Sequence, residues 1–314
     1  MTRTPPLVWG LLVTGVIGVS FAGAILQNPL SSIPPLMRAS WRLQLTVLIL
    51  LPMFIWQWRQ IDDEVRSQMF QKRTIWIIIG SGIALGAHFG TWVASLDYTS
   101  LTHSLLFVTS HPLILICGIA LLYRKPTNLE KIGVAIGLVG AMVTLIDYKQ
   151  GGEVTIFGDF LAFIGAVTVV GYIVAGKVLR QWMPVFIYAL PVTLIAALIL
   201  IPASIIAGEN TAALGWIESD LLGWFILLAF LAGILGHTGL NACLRWLSPL
   251  TISVAVTMEP MIGSFIGWFF FDSPIPGIWT WLGGPLLIVG VILVILGGDI
   301  AEKSTTSEEK PSQS

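Results

Sequence analysis

Charged residues are scarce in this sequence. Asp, Glu, Lys and Arg make up 11% of its 314 residues, whereas 55% are hydrophobic and the mean hydropathy is +0.87. Soluble domains contain roughly one-quarter charged residues. The composition therefore excludes an ordinary soluble domain and indicates an integral membrane protein.

Cysteines, basic clusters and catalytic motifs are also rare or missing. The only cysteines, Cys117 and Cys243, both lie in apolar runs, so neither a disulfide framework nor a metal site is expected. The formal net charge is −1 and no basic tail is present, so no nucleic-acid partner is expected. Nucleophile-elbow, zinc-protease and phosphate-loop motifs are absent, so we expect no enzyme activity, no cofactor and no use of ATP.

Long apolar runs dominate the chain instead. Ten of them reach the roughly 20 residues that a helix needs to cross a bilayer. Their predicted bounds are 7–27, 34–57, 74–95, 99–122, 129–147, 157–179, 184–207, 220–245, 249–271 and 277–297. We therefore predict an all-α integral membrane protein with ten transmembrane helices.

The second half of the chain repeats the first. Adding 148 to the positions of His111-Pro112 and Pro126 gives Glu259-Pro260 and Pro274. Self-similarity at this long spacing indicates two half-proteins of five helices each. The predicted repeats span residues 1–148 and 154–298, and a disordered cytoplasmic tail is predicted at 299–314 because that segment is mostly polar.

Lys and Arg predict the orientation, since they are retained on the cytoplasmic side of a membrane. With the N-terminus inside, 13 of the 16 fall in cytoplasmic segments, so both termini are predicted to be cytoplasmic. Because each half has an odd number of helices, the second half crosses the membrane in the opposite direction. Two inverted five-helix repeats around a central cavity are an architecture of secondary transporters.

Two ionisable residues lie near the middle of predicted spans, and each precedes a proline. They are His111 in the fourth span and its repeat counterpart Glu259 in the ninth. A charged side chain at the bilayer centre costs about 2.5–3.5 kcal/mol on insertion scales, and proline leaves a backbone carbonyl free. A kink and a binding or gating element are predicted at both places.

Two more histidines lie on either side of the Glu259 level, His88 in the third span and His237 in the eighth. His237 belongs to a polar row with four-residue spacing: Gly233, His237, Asn241 and Arg245. Such a row is one face of an α-helix, and it is expected to line a cavity or a helix interface rather than lipid. His88, His237 and Glu259 are therefore candidates for proton coupling, and hydrogen bonding between packed helices is the alternative for each histidine.

Arg38 and Arg42 lie on one face near the outer end of the second span. Snorkelling of their side chains to the outer headgroups explains them, and so does contact with an anionic substrate. Arg38 is accordingly one of the cavity candidates.

Glycines are arranged in rows. Gly82, Gly86 and Gly90 follow each other in the third span, and Gly133 and Gly140 of the fifth span correspond to Gly283 and Gly290 of the tenth. Because helices in lipid associate through close packing of small residues, each row predicts the close approach of another helix.

The order and spacing of several motifs resemble the EamA family of the drug/metabolite transporter superfamily. These motifs are Leu96–Ser100, Leu244–Pro249, Glu259-Pro260, the Pro35–Arg38 segment that opens the second span and Gly158-Asp159 at the entry to the second half. The resemblance covers residues 7–298. One departure is that Arg124-Lys125 and Asp272 stand where the family often has a glutamate at the end of the fourth and ninth helices.

This resemblance implies a central cavity lined mainly by the first, third, fourth, sixth, eighth and ninth helices. It also implies export or exchange of small metabolites such as amino acids. Carried over by position, the residues that line the cavity are Trp92, His111, Tyr172, His237, Asn241 and Glu259.

The sequence thus predicts a secondary-active transporter that works by alternating access in the plasma (inner) membrane. Its expected partners are a small-molecule substrate and the lipid bilayer, and a homodimer is compatible with the sequence. A phosphorylated substrate is disfavoured because the ninth and tenth spans contain no Lys or Arg. A passive channel or a lipid scramblase is the main alternative, and a membrane-embedded enzyme is a weaker one.

Overall fold

The structure is a computed structural model that describes residues 4–99, 101–146, 155–271 and 275–308. Its α-helices are α1 (Pro6–Gln27), α2 (Pro35–Trp58), α3 (Asp63–Met69), α4 (Lys72–Tyr98), α5 (Leu101–Val108), α6 (His111–Leu122), α7 (Asn128–Leu145), α8 (Ile156–Leu179), α9 (Val185–Ile206), α10 (Leu222–Leu228), α11 (Gly239–Cys243), α12 (Pro249–Val256), α13 (Glu259–Phe270) and α14 (Ile278–Glu308). A 3₁₀ turn occupies Gly215–Ile217, and a π-helix joins α10 to α11. No strand occurs within these four described ranges.

Ten segments are long and apolar enough to cross a membrane, which confirms the predicted number. Their bounds lie within a few residues of the predicted ones. Three spans contain more than one helix: the fourth is α5 with α6, the eighth is α10, the π-helix and α11, and the ninth is α12 with α13. The remaining helix, α3, is short, buries none of its residues and connects the second span to the third. The all-α membrane fold is therefore as predicted.

The fourth and ninth spans are both interrupted at the predicted places. α5 ends at Val108 and α6 begins at His111, while α12 ends at Val256 and α13 begins at Glu259. Proline at the second helical position lacks an N–H to donate, so each new helix starts where the previous hydrogen-bond pattern stops. Both ionisable residues consequently sit at the first position of a half-helix inside the membrane.

The eighth span differs from the expected α-helix. Ala229–Thr238 is a π-helix, and the Thr238 hydroxyl donates to the carbonyl of Gly233, five residues back, at 2.9 Å. A π-helix has a longer repeat than an α-helix, so residues at four-residue spacing do not all share one face. The predicted polar row is therefore split: Gly233 packs against Thr46 of α2, and Arg245 is exposed.

The C-terminal prediction is corrected in part. α14 continues to Glu308, so residues 299–308 of the predicted disordered tail are helical. Ala, Glu and Lys propagate a helix well once it has begun, which accounts for the extension beyond the apolar run. Residues 309–314 and the polar link at 149–153 lie outside the described residues, as do Asp272 and Pro274.

The main helix contacts repeat between the two halves. α2 packs against α9 and α7 against α14, which pairs the second span with the seventh and the fifth with the tenth. α4 packs against α8, and α1 packs against the π-helix, which pairs the third span with the sixth and the first with the eighth. Replacing each span by its counterpart five spans away converts this set of contacts into itself. Two equivalent halves facing each other produce such a pattern.

α2 and α9 cap each other across this interface. Both carboxylate oxygens of Glu209, just after α9, accept hydrogen bonds from the N–H groups of Leu36 and Met37 at the start of α2, each at 2.9 Å. Gln57, at the end of α2, accepts at its Oε1 from the N–H of Phe186 at the start of α9, at 2.8 Å. The first N–H groups of a helix have no partner within the helix, so each half supplies acceptors to the other.

Glycines make the interface between α7 and α14. A Cβ added at Gly290 would lie 2.7 Å from the backbone N and Cα of Gly137, and one at Gly133 would lie 2.8 Å from the carbonyl oxygen of Gly290. Likewise, a Cβ at Gly283 would lie 2.6 Å from the carbonyl oxygen of Gly140. The two glycine rows thus contact each other crosswise, Gly133 with Gly290 and Gly140 with Gly283, and the backbones are too close there for any side chain.

We expect Gly290→Ala to lower the free energy of unfolding by about 1–3 kcal/mol, because the added methyl group meets the backbone of α7, which cannot move aside as a side chain can. Gly298→Ala, on the same helix, is the matched control, since a Cβ at Gly298 would have no neighbouring atom within 4 Å. Thermal unfolding in detergent measures both. Equal unfolding temperatures for the two variants would contradict the proposed packing.

Glu209→Ala is expected to lower the free energy of unfolding by about 1–2 kcal/mol, because the start of α2 loses a charged acceptor for two N–H groups. The control is Glu218→Ala, in the same connection, where the side chain is exposed and makes no hydrogen bond within the described chain. Denaturant titration in detergent gives the comparison. A stability loss of the same size in the control would sink the capping role of Glu209.

Candidate functional site

A central cavity of about 70 Å³ lies at the level of the two helix breaks. Its wall draws on the first, third, fourth, sixth, eighth and ninth spans, the six that the family resemblance implied, and on the second. The side chains with polar groups in the wall are Arg42, His88, Trp92, Thr109, His111, Tyr172, His237, Asn241 and Glu259. The rest of the lining is Val, Leu, Ile and Ala. Polar groups are thus concentrated on one small apolar cavity, as in binding sites for small molecules.

Seven of the eight residues singled out from the sequence lie on this wall. They are His88, Trp92, His111, Tyr172, His237, Asn241 and Glu259. Their role in transport stays a prediction, but their convergence is a fact of the fold. The eighth, Arg38, does not line the cavity.

The fourth and ninth spans are joined directly at the cavity. His111 Nδ1 forms a hydrogen bond with the hydroxyl of Ser253, which lies in α12. His111 is 5% exposed and Ser253 is fully buried. The half-helix that starts at His111 is therefore held to the other half of the protein through the imidazole ring.

Glu259 is the first residue of α13, in the ninth span. It is partly exposed on the cavity wall, and its side chain has no hydrogen bond or ion pair within the described chain. Most carboxylates inside membrane spans pair with another group or face water. A carboxylate without a partner is available to a proton or to a ligand.

An aromatic cluster from the third and eighth spans forms one side of the cavity. His88 Nδ1 bonds to the carbonyl oxygen of Gly165 in α8 at 2.9 Å, so that nitrogen carries the proton. Its ring stacks on Trp92 with a centroid separation of 6.1 Å. His237 lies 6.4 Å from His88 and 5.0 Å from Phe89 between ring centroids, and its side chain makes no hydrogen bond to described residues. Of the two histidines, His237 is the one with both ring nitrogens available.

Tyr172 and Asn241 form a polar bridge between the sixth and eighth spans. Asn241 donates from Nδ2 to the Tyr172 hydroxyl and to the carbonyl of His237 at 2.8 Å. The Asn241 Oδ1 atom is buried and has no hydrogen-bond partner in the described chain. The amide is therefore held in place on one side and has an acceptor available on the other.

A buried arginine in the connection after α8 fixes the backbone of this bridge. Arg180 donates from Nε to the carbonyl of Asn241 at 3.1 Å and from Nη1 to the carbonyl of Met183. Burial lowers the pKa of Arg180 to about 10, so the guanidinium keeps its charge at neutral pH. Its hydrogen bonds hold Asn241 in register at the end of the eighth span.

Arg38 is corrected from a cavity residue to a structural one. It is 2% exposed, so it does not snorkel to the headgroups either. Its guanidinium donates to the carbonyl of Leu26 at 3.0 Å and to the carboxylate of Asp97 at 3.1 Å. These bonds tie α2 to α1 and α4, because the partners of Arg38 come from both helices.

The neighbouring Arg42, which the sequence analysis grouped with Arg38 but did not make a cavity candidate, lines the cavity, and so does Thr109, which the sequence analysis did not name. Arg42 is 1% exposed and places its guanidinium carbon 4.2 Å from the ring centroid of Phe89. The sequence offered one indication of this difference. Arg42 lies one turn deeper in the span than Arg38, so its side chain has farther to extend to reach the headgroups. Nothing in the sequence alone separates the two arginines further.

No metal centre accompanies these groups in the described part of the chain, where no set of three His, Cys, Asp or Glu side chains converges. The site is therefore described by hydrogen bonding, charge and shape.

Known proteins match this chain in both sequence and fold. The uncharacterized inner membrane transporter YedA of Escherichia coli strain K12 is 29% identical over 196 residues, and so is its counterpart in Escherichia coli O157:H7. The aligned region is 60% of this chain and 60% of each relative. One crystal structure matches with a TM-score of 0.72 and 16% identity, covering 93% of this chain and 98% of that one. At that identity the match shows the fold alone.

A family model shows which family the chain belongs to. The model of the EamA-like transporter family matches twice, at residues 7–146 and 156–296, and so covers most of the chain. Five spans fall in each match. The chain belongs to the EamA-like transporter family and is a multi-pass membrane protein.

Proposed function

We propose that this protein is a secondary-active transporter that exports or exchanges small metabolites such as amino acids by alternating access. The cavity favours a small cargo because it is only about 70 Å³ in volume. Its wall combines hydrogen-bond donors and acceptors with apolar side chains, and such a lining suits a small polar solute.

The observation that carries the proposal is the position of Glu259. It lies near the middle of the ninth span, at a helix break, on the cavity wall and without a hydrogen-bond or ion-pair partner in the described chain. Intramembrane carboxylates in such surroundings mark proton and substrate pathways. We infer that Glu259 binds a proton in one stage of the cycle and releases it in another, with His237 and His88 as the neighbouring candidates for transfer.

The inverted halves supply the conformational change. If each half adopts the conformation of the other, an inward-open state becomes an outward-open one around the same cavity. The hydrogen bond of His111 to Ser253 joins the broken helices of the two halves, so the exchange has to remake it. This contact is thus a candidate gate element.

We propose that the protein lies in the inner membrane with both termini in the cytoplasm. The support is the distribution of Lys and Arg, together with the description of the YedA proteins as inner membrane transporters. The substrate and the lipid bilayer are its expected partners, and a homodimer stays a prediction.

Efflux from reconstituted vesicles tests the proposal. A proton-coupled exporter moves solute toward the acidic side, so an imposed pH gradient should drive amino-acid efflux by the native protein. In Glu259→Gln we expect this gradient-driven efflux to fall about tenfold or more, because a neutral amide cannot exchange the proton, and coupling energies are commonly of that size. The measurement is the initial rate of release of radiolabelled amino acids.

Glu218→Gln is the control, since it removes an exposed carboxylate that does not line the cavity. Unchanged gradient dependence in Glu259→Gln would rule out the coupling role of that residue and leave the carrier. Absence of flux for every solute would favour the alternatives, which a fluorescent-lipid scrambling assay and an ion-conductance assay on the same vesicles separate.

A further inference from the structure

Arg42 is a buried cation for which the described chain provides no ion-pair or hydrogen-bond partner. Two of its nitrogens, Nε and Nη1, are sealed from solvent and make no hydrogen bond. No described carboxylate lies within 4 Å of the guanidinium. Its guanidinium lies over the face of Phe89, a cation–π interaction that provides no hydrogen-bond acceptor for Nε or Nη1.

A comparison with Arg38 shows that the lack of hydrogen-bond and ion-pair partners is specific to the position of Arg42 and is not general for buried arginines of α2. The two arginines lie one turn apart on α2 and are equally buried. Arg38 has a carboxylate and a carbonyl as acceptors, whereas Arg42 has none. A guanidinium stays charged in proteins, so burial without an acceptor is destabilising. A group that destabilises the fold and faces a cavity is best explained by a ligand.

The surroundings of Arg42 restrict that ligand. The titratable groups around it are Glu259, Tyr172, His88 and His237, and Arg42 is the only Lys or Arg among the described residues of the cavity wall. Glu259 is close enough to interact with it electrostatically but does not pair with it. A dianionic phosphate would face one cation and one carboxylate, whereas a single carboxylate matches the one free guanidinium.

We propose that Arg42 binds a carboxylate group of the transported solute. The planar fork of a guanidinium matches a carboxylate with two parallel hydrogen bonds, and the apolar wall around it strengthens them. Trp92 adds a second buried donor without a partner, its Nε1–H, on the same wall. This proposal rests on the proposed function, since it names the chemical class of the cargo of that same cavity.

Ligand-induced thermal stabilisation of the full-length protein in detergent tests it without requiring transport. The probes are the common amino acids and carboxylic acids of two to six carbons, each compared with its own amide, and inorganic phosphate. The native protein should be stabilised by at least one carboxylate and less by its amide. In Arg42→Gln we expect that preference to fall about tenfold or more in dissociation constant, with Arg42→Lys retaining part of it because the charge remains.

Arg38→Gln is the matched control, because it removes the equally buried but paired arginine. Its unfolding temperature without ligand should fall and its carboxylate preference should persist. Arg42→Gln should instead unfold at the native temperature or above it without ligand, since an unpaired buried charge has been removed. A loss of stability in Arg42→Gln as large as in Arg38→Gln would indicate a structural role and count against the proposal.

Several outcomes overturn the proposal. They are stabilisation by phosphate alone, equal binding of acids and amides by the native protein, no stabilisation by any probe, or an unchanged preference in Arg42→Gln. If Arg42→Gln does not fold, Arg42→Lys becomes the test. A preference of that variant for carboxylates over amides equal to that of the native protein counts against bidentate binding by the guanidinium. Carboxylate-specific binding that depends on Arg42, without any vesicle flux, would leave carboxylate binding at Arg42 intact and defeat the proposed function instead.

Discussion

Backbone hydrogen bonding in a medium without water is the constraint on which this structure depends. Each N–H or C=O group left unpaired in hydrocarbon costs several kcal/mol, so every helix end and every break inside the bilayer must be satisfied from within the protein. The starts of α2 and α9 receive acceptors from Glu209 and Gln57 of the opposite half. The breaks before Pro112 and Pro260 sit where the two halves meet, next to a cavity rather than next to lipid.

The same constraint explains where the polar residues are. Helices that lack a hydrophobic driving force associate by close contact, and the glycine rows of α7, α14 and α4 provide it. Broken spans cannot pack so closely, so the fourth and ninth leave space between them and their neighbours. His111, Glu259 and the π-helix all lie around that space. Tight packing at the glycine rows, together with the interruptions of the fourth and ninth spans, thus produces the central cavity.

Much of this was predictable because the bilayer simplifies the problem. Apolar length gives the spans, proline gives the breaks before Pro112 and Pro260, and the duplication pairs His111 with Glu259 before any contact is known. The π-helix was not predictable, since no proline or unusual residue marks Ala229–Thr238 and only tertiary contact selects its hydrogen bonds.

The arginines show a second limit of the sequence. Arg38 and Arg42 have the same residue type, helix and face, and they differ only in what faces them. The partner of Arg38 is 59 residues away in the sequence, at Asp97, and periodicity carries no information about such a pair. The extension of α14 to Glu308 was missed because polarity alone does not separate a helical tail from an unstructured one.

The mutual capping of α2 and α9 also sets an order for biosynthesis. Leu36 is separated from Glu209 by 173 residues, so the start of α2 is in the membrane long before its acceptor exists. At roughly 5–20 residues per second, translation takes about 10–35 s to cover that distance. During this interval the first half is a set of spans with an uncapped helix and, in α7, an unoccupied glycine surface. Such an intermediate needs lipid headgroups, water or an insertion partner to shield it, and duplicated transporters of this kind are therefore most vulnerable to misassembly midway through their synthesis.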